Sequence, residues 1–192
     1  IGEEVCDLDS RMGLPSQEEL DEAYDFAIAN GAIEEYAKLM KDGKTGVIGI
    51  LRCGDGAEVA MRFDIDALPL FEYDGEDSRA QKEGYISVNK GSMHACGHDG
   101  HATIGLGVAK TLFEIKDKLN GTIKLIFQPS EEGVRGAKSI VEKGHLDNAK
   151  YFLGSHITTD KGQEGYDIYP GNGGALATTK LDVYYYGKAA HA

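Results

Sequence analysis

Residues 101–128 read HATIGLGVAKTLFEIKDKLNGTIKLIFQ. Ile104, Val108, Leu112 and Ile115 recur every three or four positions, which predicts an amphipathic helix over 101–119 that stops at Asn120-Gly121. The run that follows, TIKLIFQ at 122–128, is short and rich in β-branched and aromatic side chains, and predicts a strand. Upstream, EVAMRFD at 58–64 has the same character. Downstream, 135–143 predicts a short helix closed by Gly144, and YFLGSH at 151–156 another strand. Strand, helix, strand, helix, strand is the alternation of a mainly parallel α/β sheet.

Toward the N-terminus, Ser16-Gln17-Glu18-Glu19 reads as a capping box. Helices are expected over 17–29, ended by Asn30-Gly31, and over 32–41, ended by Asp42-Gly43. TGVIGILR at 45–52 is a strand, and Gly54-Asp55-Gly56 would join it to 58–64 as a hairpin. Residues 67–97 lack periodicity and form a long loop, a common home for function. LATTKLDVYYYG at 176–187 is a further strand after the glycine-rich Gly171–Gly174. A domain boundary is therefore expected between 1–174 and 175–192. There is no internal repeat.

The chain has 192 residues with 20 Lys+Arg against 32 Asp+Glu, a net charge of −12. Mean hydropathy is −0.34. No basic stripe exists to neutralise phosphates, which argues against nucleic acid, and the same charge disfavours an anionic membrane surface. No apolar run approaches the ~20 residues of a membrane span. Cys6, Cys53 and Cys96 are too few for a disulfide framework, so a reducing, cytoplasmic setting is expected. No cationic stretch followed by an apolar one opens the sequence, so no secretion signal is expected. It starts at Ile1 and ends at His191-Ala192, and is expected to be a fragment at both ends.

Three predicted strands end in candidate ligands: Asp64 and Asp66 after the first, Glu131 and Glu132 after the second, His156 at the third. In open α/β sheets sites lie beyond the carboxyl ends of the strands. MHACGHDGH at 93–101 falls at that edge. Cys96 and His98, two apart in an extended segment, would face the same way. A thiolate with an imidazole suits zinc, and carboxylates make manganese accessible. Alone, a buried cysteine is usually inert core, which is the reading for Cys6 and Cys53. Three histidines, a cysteine and an aspartate in nine residues favour metal instead. For Glu131-Glu132 two readings stand level. The pair could complement a helix N-terminus. It could instead divide labour, one carboxylate ligating metal and the other accepting a proton from water.

MRFDIDALP at 61–69, MHACGHDGH at 93–101, IFQPSEEG at 126–133, GSHI at 154–157 and GKAAHA at 187–192 together resemble the metal-dependent amidohydrolases, the family of aminoacylases, hippurate hydrolase, auxin-conjugate hydrolases and p-aminobenzoyl-glutamate hydrolase. Residues 11–15, the helices after them and 176–180 are most similar to the A-subunit branch of the last. The resemblance implies a three-layer αβα metallopeptidase-like catalytic domain, truncated over 1–174, and the first strand of an α+β lid or dimerisation domain over 175–192. It implies two divalent ions, Mn or Zn, with Cys96 bridging them, His98 and His156 binding one each, and Glu132 as carboxylate ligand. Glu131 would be the general base. Asp66 would orient a ligand, and His191 would reach the substrate carbonyl of a partner subunit. A further histidine ligand would lie outside this chain. Asp64 stands where more distant relatives place a metal-binding histidine, so its role stays open.

The implied reaction is hydrolysis of an N-acyl or N-aroyl amino acid, foremost p-aminobenzoyl-glutamate, by a homodimer or a hetero-oligomer with a related subunit. An N-acyl-amino-acid deacylase or hippurate hydrolase is the alternative within the family. Two rivals differ in kind. One is a cysteine hydrolase with Cys96 as nucleophile and His98 as base, its thiol made acidic by the following helix. The other is a catalytically incomplete metal-binding fragment.

Overall fold

The computed structural model describes residues 1–7, 13–157, 183–184 and 186–187. The chain divides into two compact units, Ile1–Thr159 and Asp160–Ala192. Most of the strand expected at 176–187, the boundary at 174/175 and His191 lie outside the described residues.

In the first unit a short 3-10 turn is followed by helices α1 (Gln17–Ala29) and α2 (Glu34–Met40). Then come strands β1 (Val47–Arg52) and β2 (Glu58–Asp64), helices α3 (Arg79–Glu83) and α4 (His98–Glu114), strand β3 (Thr122–Gln128), helix α5 (Gly136–Glu142) and strand β4 (Ala149–Gly154). The capping box forms as expected: the Ser16 hydroxyl accepts from the Glu19 N–H at 3.3 Å, and the Glu19 carboxylate accepts from the Ser16 N–H at 2.8 Å.

The sheet order is β1-β3-β2-β4. β2 runs parallel to both β3 and β4, and β1 is antiparallel to β3. The expected β1–β2 hairpin is therefore not made, because β3 lies between the two strands. The Gly54-Asp55-Gly56 link crosses the start of β3 instead. There the Cys53 N–H donates to the Gly121 carbonyl at 2.8 Å, and the Thr122 N–H to the Ala57 carbonyl at 3.1 Å. A Cβ on Gly121 would stand 2.3 Å from the Ala57 oxygen, and one on Gly56 2.9 Å from the Gly121 nitrogen. Both glycines are required by this crossing. A turn signal fixes a reversal of the chain but not which strand fills the gap.

β2 is covered on both faces. Successive side chains alternate across a strand. Phe63 and Phe127 meet on one face, ring centroids 5.6 Å apart, where α4 lies against them at Gly105. Ala60 and Ile126 point the other way and join Ile140 of α5, Val5 and Cys6 in the main apolar core. The result is helix, sheet, helix in three layers, with Cys6 as buried packing. The carboxyl ends of β2, β3 and β4 point to one edge.

Two boundaries differ from the sequence expectation in ways that matter there. α4 starts at His98, three residues early, so His98 and His101 both lie in its first turn. β4 ends at Gly154, and His156 follows it in a loop.

Candidate metal centre

Cys96 and His98 are not presented by an extended segment. Gly97 has φ +82°, a left-handed turn that glycine adopts without strain, and it caps α4. The turn sends His98 into the interior, fully buried, while Cys96 stays half-buried at the edge. His98 Nδ1 donates to the Asp66 carbonyl at 2.9 Å. That leaves Nε2 as the lone-pair nitrogen. It is buried, makes no hydrogen bond among the described residues, and faces carboxylate oxygens of Asp64 (3.6 Å), Glu131 (3.8 Å) and Glu132 (3.9 Å).

Asp66 works twice. Besides holding His98, its Oδ2 accepts from the Glu132 N–H at 3.0 Å. The glutamate pair sits in a turn bracketed by Ser130 (φ +57°) and Val134 (φ +56°), the latter a conformation that costs a β-branched residue energy. α5 begins only at Gly136 and has no acid in its first turn, so the helix-dipole reading of the pair is set aside. Glu131 is the more exposed of the two.

His156 is exposed. Its Nδ1 donates to the Ile157 carbonyl at 2.6 Å, which frees Nε2 to accept from the Cys96 thiol at 3.5 Å. The structure thus brings together Cys96, His98, Glu131, Glu132, His156 and Asp66. His191 is not among the described residues.

Donor atoms of Cys96, His98 and Glu132 lie within 4.8 Å of one another. Two donors on opposite sides of one ion, at ~2.0–2.3 Å each, stand ~4–4.6 Å apart, so this set closes on an ion with small shifts. The charges agree. The carboxylates of Asp64, Asp66, Glu131 and Glu132 converge here with Arg62 as the only guanidinium among the described residues paired to them. Crowded carboxylates facing a buried lone pair need positive charge. The donor set fits a divalent ion.

Burial, then the hydrogen bond and charge of Glu132, then the charges of Glu131 and Asp64 push the Cys96 thiol up. A nucleophilic cysteine needs the opposite, so this shift runs against the cysteine-hydrolase reading.

Two residues went unassigned in the sequence. His101 is buried, bonded through Nδ1 to Asp64 and through Nε2 to the Ile157 N–H at 2.8 Å. Arg62 pairs with Asp64 at 2.8 Å and donates from Nε to Gln128 at 2.9 Å. A signal existed for Arg62: it shares a strand face with Ala60 and Asp64, a cation inside an otherwise apolar run.

Residues 60–190 match the family described as Peptidase family M20/M25/M40. The three layers about this sheet, with a thiol, imidazole and carboxylate cluster at its carboxyl edge, are those of an M20-type hydrolase, and the chain belongs to this family. It is 43% identical over 193 residues to one of the subunits of the p-aminobenzoyl-glutamate hydrolase of Escherichia coli K12, covering 100% of this chain and 44% of that one. It is 44% identical over 193 residues to an indole-3-acetyl-aspartic acid hydrolase of Enterobacter agglomerans, with the same coverage. A solved Bacillus subtilis structure, described as a dinuclear metal binding peptidase from the M20 family, superposes with a TM-score of 0.54 at 39% identity, over 61% of this chain and 31% of that one. The chain thus spans less than half the length of these relatives.

Proposed function

We propose that the full-length protein is a metal-dependent amidohydrolase that cleaves the amide of an N-acyl or N-aroyl amino acid, with p-aminobenzoyl-glutamate as the leading substrate. The observation that carries this is the buried Nε2 of His98, without a hydrogen bond among the described residues, facing a cluster of carboxylates beside Cys96. Cys96, His98, Glu132 and His156 would hold two divalent ions, Mn or Zn. The dinuclear description of the Bacillus subtilis relative supports the number. Such ions, when bound, supply Lewis acidity toward the scissile carbonyl.

Glu131 would be the general base, taking the proton of the attacking water and delivering it to the leaving nitrogen. Its greater exposure and its turn geometry leave it free to move between the two. Asp66 would hold His98 in the tautomer that offers Nε2 inward and would fix the backbone of Glu132. Arg62, 4.0 Å from Glu131, would help to orient its carboxylate. His191 is proposed to reach the substrate carbonyl of a partner subunit, with 175–192 opening a lid domain. That the Escherichia coli relative is named as one subunit of its enzyme supports a homodimer or a related-subunit partner. Three free cysteines and a thiol ligand suit the cytoplasm. None of the described helices is long and apolar enough to cross a membrane.

A second reading keeps the chemistry and changes the substrate. The equal similarity to an indole-3-acetyl-aspartic acid hydrolase favours a broader N-acyl-amino-acid specificity, including deacylase or hippurate hydrolase activity. The test is hydrolysis by the full-length protein of p-aminobenzoyl-glutamate, indole-3-acetyl-aspartate, hippurate and N-acetyl amino acids, before and after chelation and Mn or Zn return. Metal-dependent turnover, highest on p-aminobenzoyl-glutamate, supports the proposal. Turnover that survives chelation, or none on any amide after metal loading, refutes it.

A further inference from the structure

We infer that His101 and Asp64 form a positioning couple that fixes His156 for metal binding and are themselves not ligands, an inference that rests on the metal reading proposed above. His101 and Asp64 are fully buried. His101 Nδ1 donates to Asp64 Oδ1, and its Nε2 accepts from the Ile157 N–H at 2.8 Å. One neutral tautomer satisfies both bonds, and no lone pair remains for an ion. The other oxygen of Asp64 lies 2.8 Å from the Arg62 guanidinium, which is in turn held by Gln128 at the end of β3. A continuous chain of polar contacts therefore runs from β3, through β2 and the first turn of α4, to the residue that follows His156.

His156 needs such a hold. It lies beyond β4 and is exposed, and its own ring bonds are to its neighbour Ile157 and to the Cys96 thiol. The His101 ring packs against it edge-on, centroids 4.5 Å apart, and stacks on His98 at 5.3 Å. His101 thus buttresses both imidazoles. Donor atoms of Asp64, His98, His101 and His156 do lie within 4.8 Å of one another, as a metal set would. Both ring nitrogens of His101 are committed, and the Asp64 carboxylate is shared between His101 and its ion pair with Arg62, which sets those two apart from it.

The test is cobalt(II) binding to the full-length protein, followed by visible absorption and by stoichiometry after dialysis. Wild type should take up two ions. His101→Phe keeps a buried ring and removes both hydrogen bonds. One of the two ions should then bind about 10–100-fold more weakly, the usual cost of losing a partner that orients a ligand, while the other is unchanged. His101→Gln places an amide oxygen within reach of the Ile157 N–H and should recover part of that loss. His101→Asn is too short to reach and should not. Mere packing predicts the reverse, with Phe better than Gln. Wild-type affinity for both ions in His101→Phe overturns the couple, as does Gln binding no tighter than Phe. If His101→Phe does not fold, equal binding by Gln and Asn overturns it. Wild type that binds no ion overturns the metal reading itself, and this inference with it.

Discussion

Asp66 Oδ2 stands 3.0 Å from the backbone nitrogen of Glu132, so the residue just past β2 fixes the turn that carries the glutamate pair. Its carbonyl takes the Nδ1–H of His98 at 2.9 Å. One residue thereby sets the tautomer of an imidazole and the position of a carboxylate. Asp66→Ala keeps the carbonyl on His98 but removes the Oδ2 acceptor of the Glu132 N–H and the Oδ1 that lies 3.2 Å from His98 Nδ1, and should weaken metal binding about 10–100-fold, with excess metal restoring part of the turnover. Equilibrium dialysis over a range of Mn or Zn concentrations checks this, and unchanged affinity counts against the role.

The Cys96 thiol is held above the ordinary range, first by burial and then by Glu132. In metal-free protein it should alkylate with iodoacetamide more slowly at pH 7–8 than an unperturbed thiol, and faster as pH rises toward its own value. Metal loading should protect it at every pH. Mass-spectrometric labelling of each cysteine measures this, and metal-independent labelling of Cys96 would argue that it is no ligand.

Asp64 is predicted to contribute pH-dependent stability. Burial raises its carboxyl, but the hydrogen bond from His101 and the charge of Arg62 outweigh it, and the group ends below the ordinary value. A carboxyl depressed in the folded state stabilises fully above the unfolded value of about 3.9, and that contribution is lost as pH falls through the folded value. The stability gap between wild type and Asp64→Asn should therefore be constant near neutrality and shrink below about pH 4. Urea unfolding of metal-free protein at several pH values measures the gap. A gap that widens on acidification has the wrong sign.

Gly121 carries φ +91° where the β1–β2 link crosses β3. Gly121→Ala combines that conformation with a Cβ 2.3 Å from the Ala57 oxygen. Destabilisation of more than about 1 kcal/mol is expected. Denaturant midpoints decide, and a neutral substitution would place the crossing elsewhere.

The limits of β2 and β3 were legible in the sequence because each is a short apolar run with clear punctuation. The order β1-β3-β2-β4 was not: Gly54-Asp55-Gly56 looks the same whether it closes a hairpin or steps over a strand, and the choice is made by Gly121, sixty-five residues beyond Gly56. Glu131, Glu132, Cys96, His98 and His156 stood out as a dense set of ligating types at strand ends. The geometry of Cys96 and His98 did not, because it depends on one left-handed glycine, Gly97, that starts α4 early. That same shift puts His101 one helical turn from His98 and on its face. With a helix beginning only at 101, His101 has no such relation and no evident role.

The central claim is that two chemically identical neighbours, Glu131 and Glu132, hold different jobs around a metal site. It is tested most directly by metal stoichiometry and turnover of Glu131→Gln and Glu132→Gln in the full-length protein across a range of metal concentrations. Glu131→Gln should keep its metal and lose turnover by about 10²–10⁴-fold, the usual share of a general base. Glu132→Gln should lose metal affinity and regain part of its activity as metal is added. If Glu131→Gln is the variant that sheds metal and is rescued by it, the assignments are reversed, and if both variants keep full metal and full turnover, the pair has no part in the chemistry.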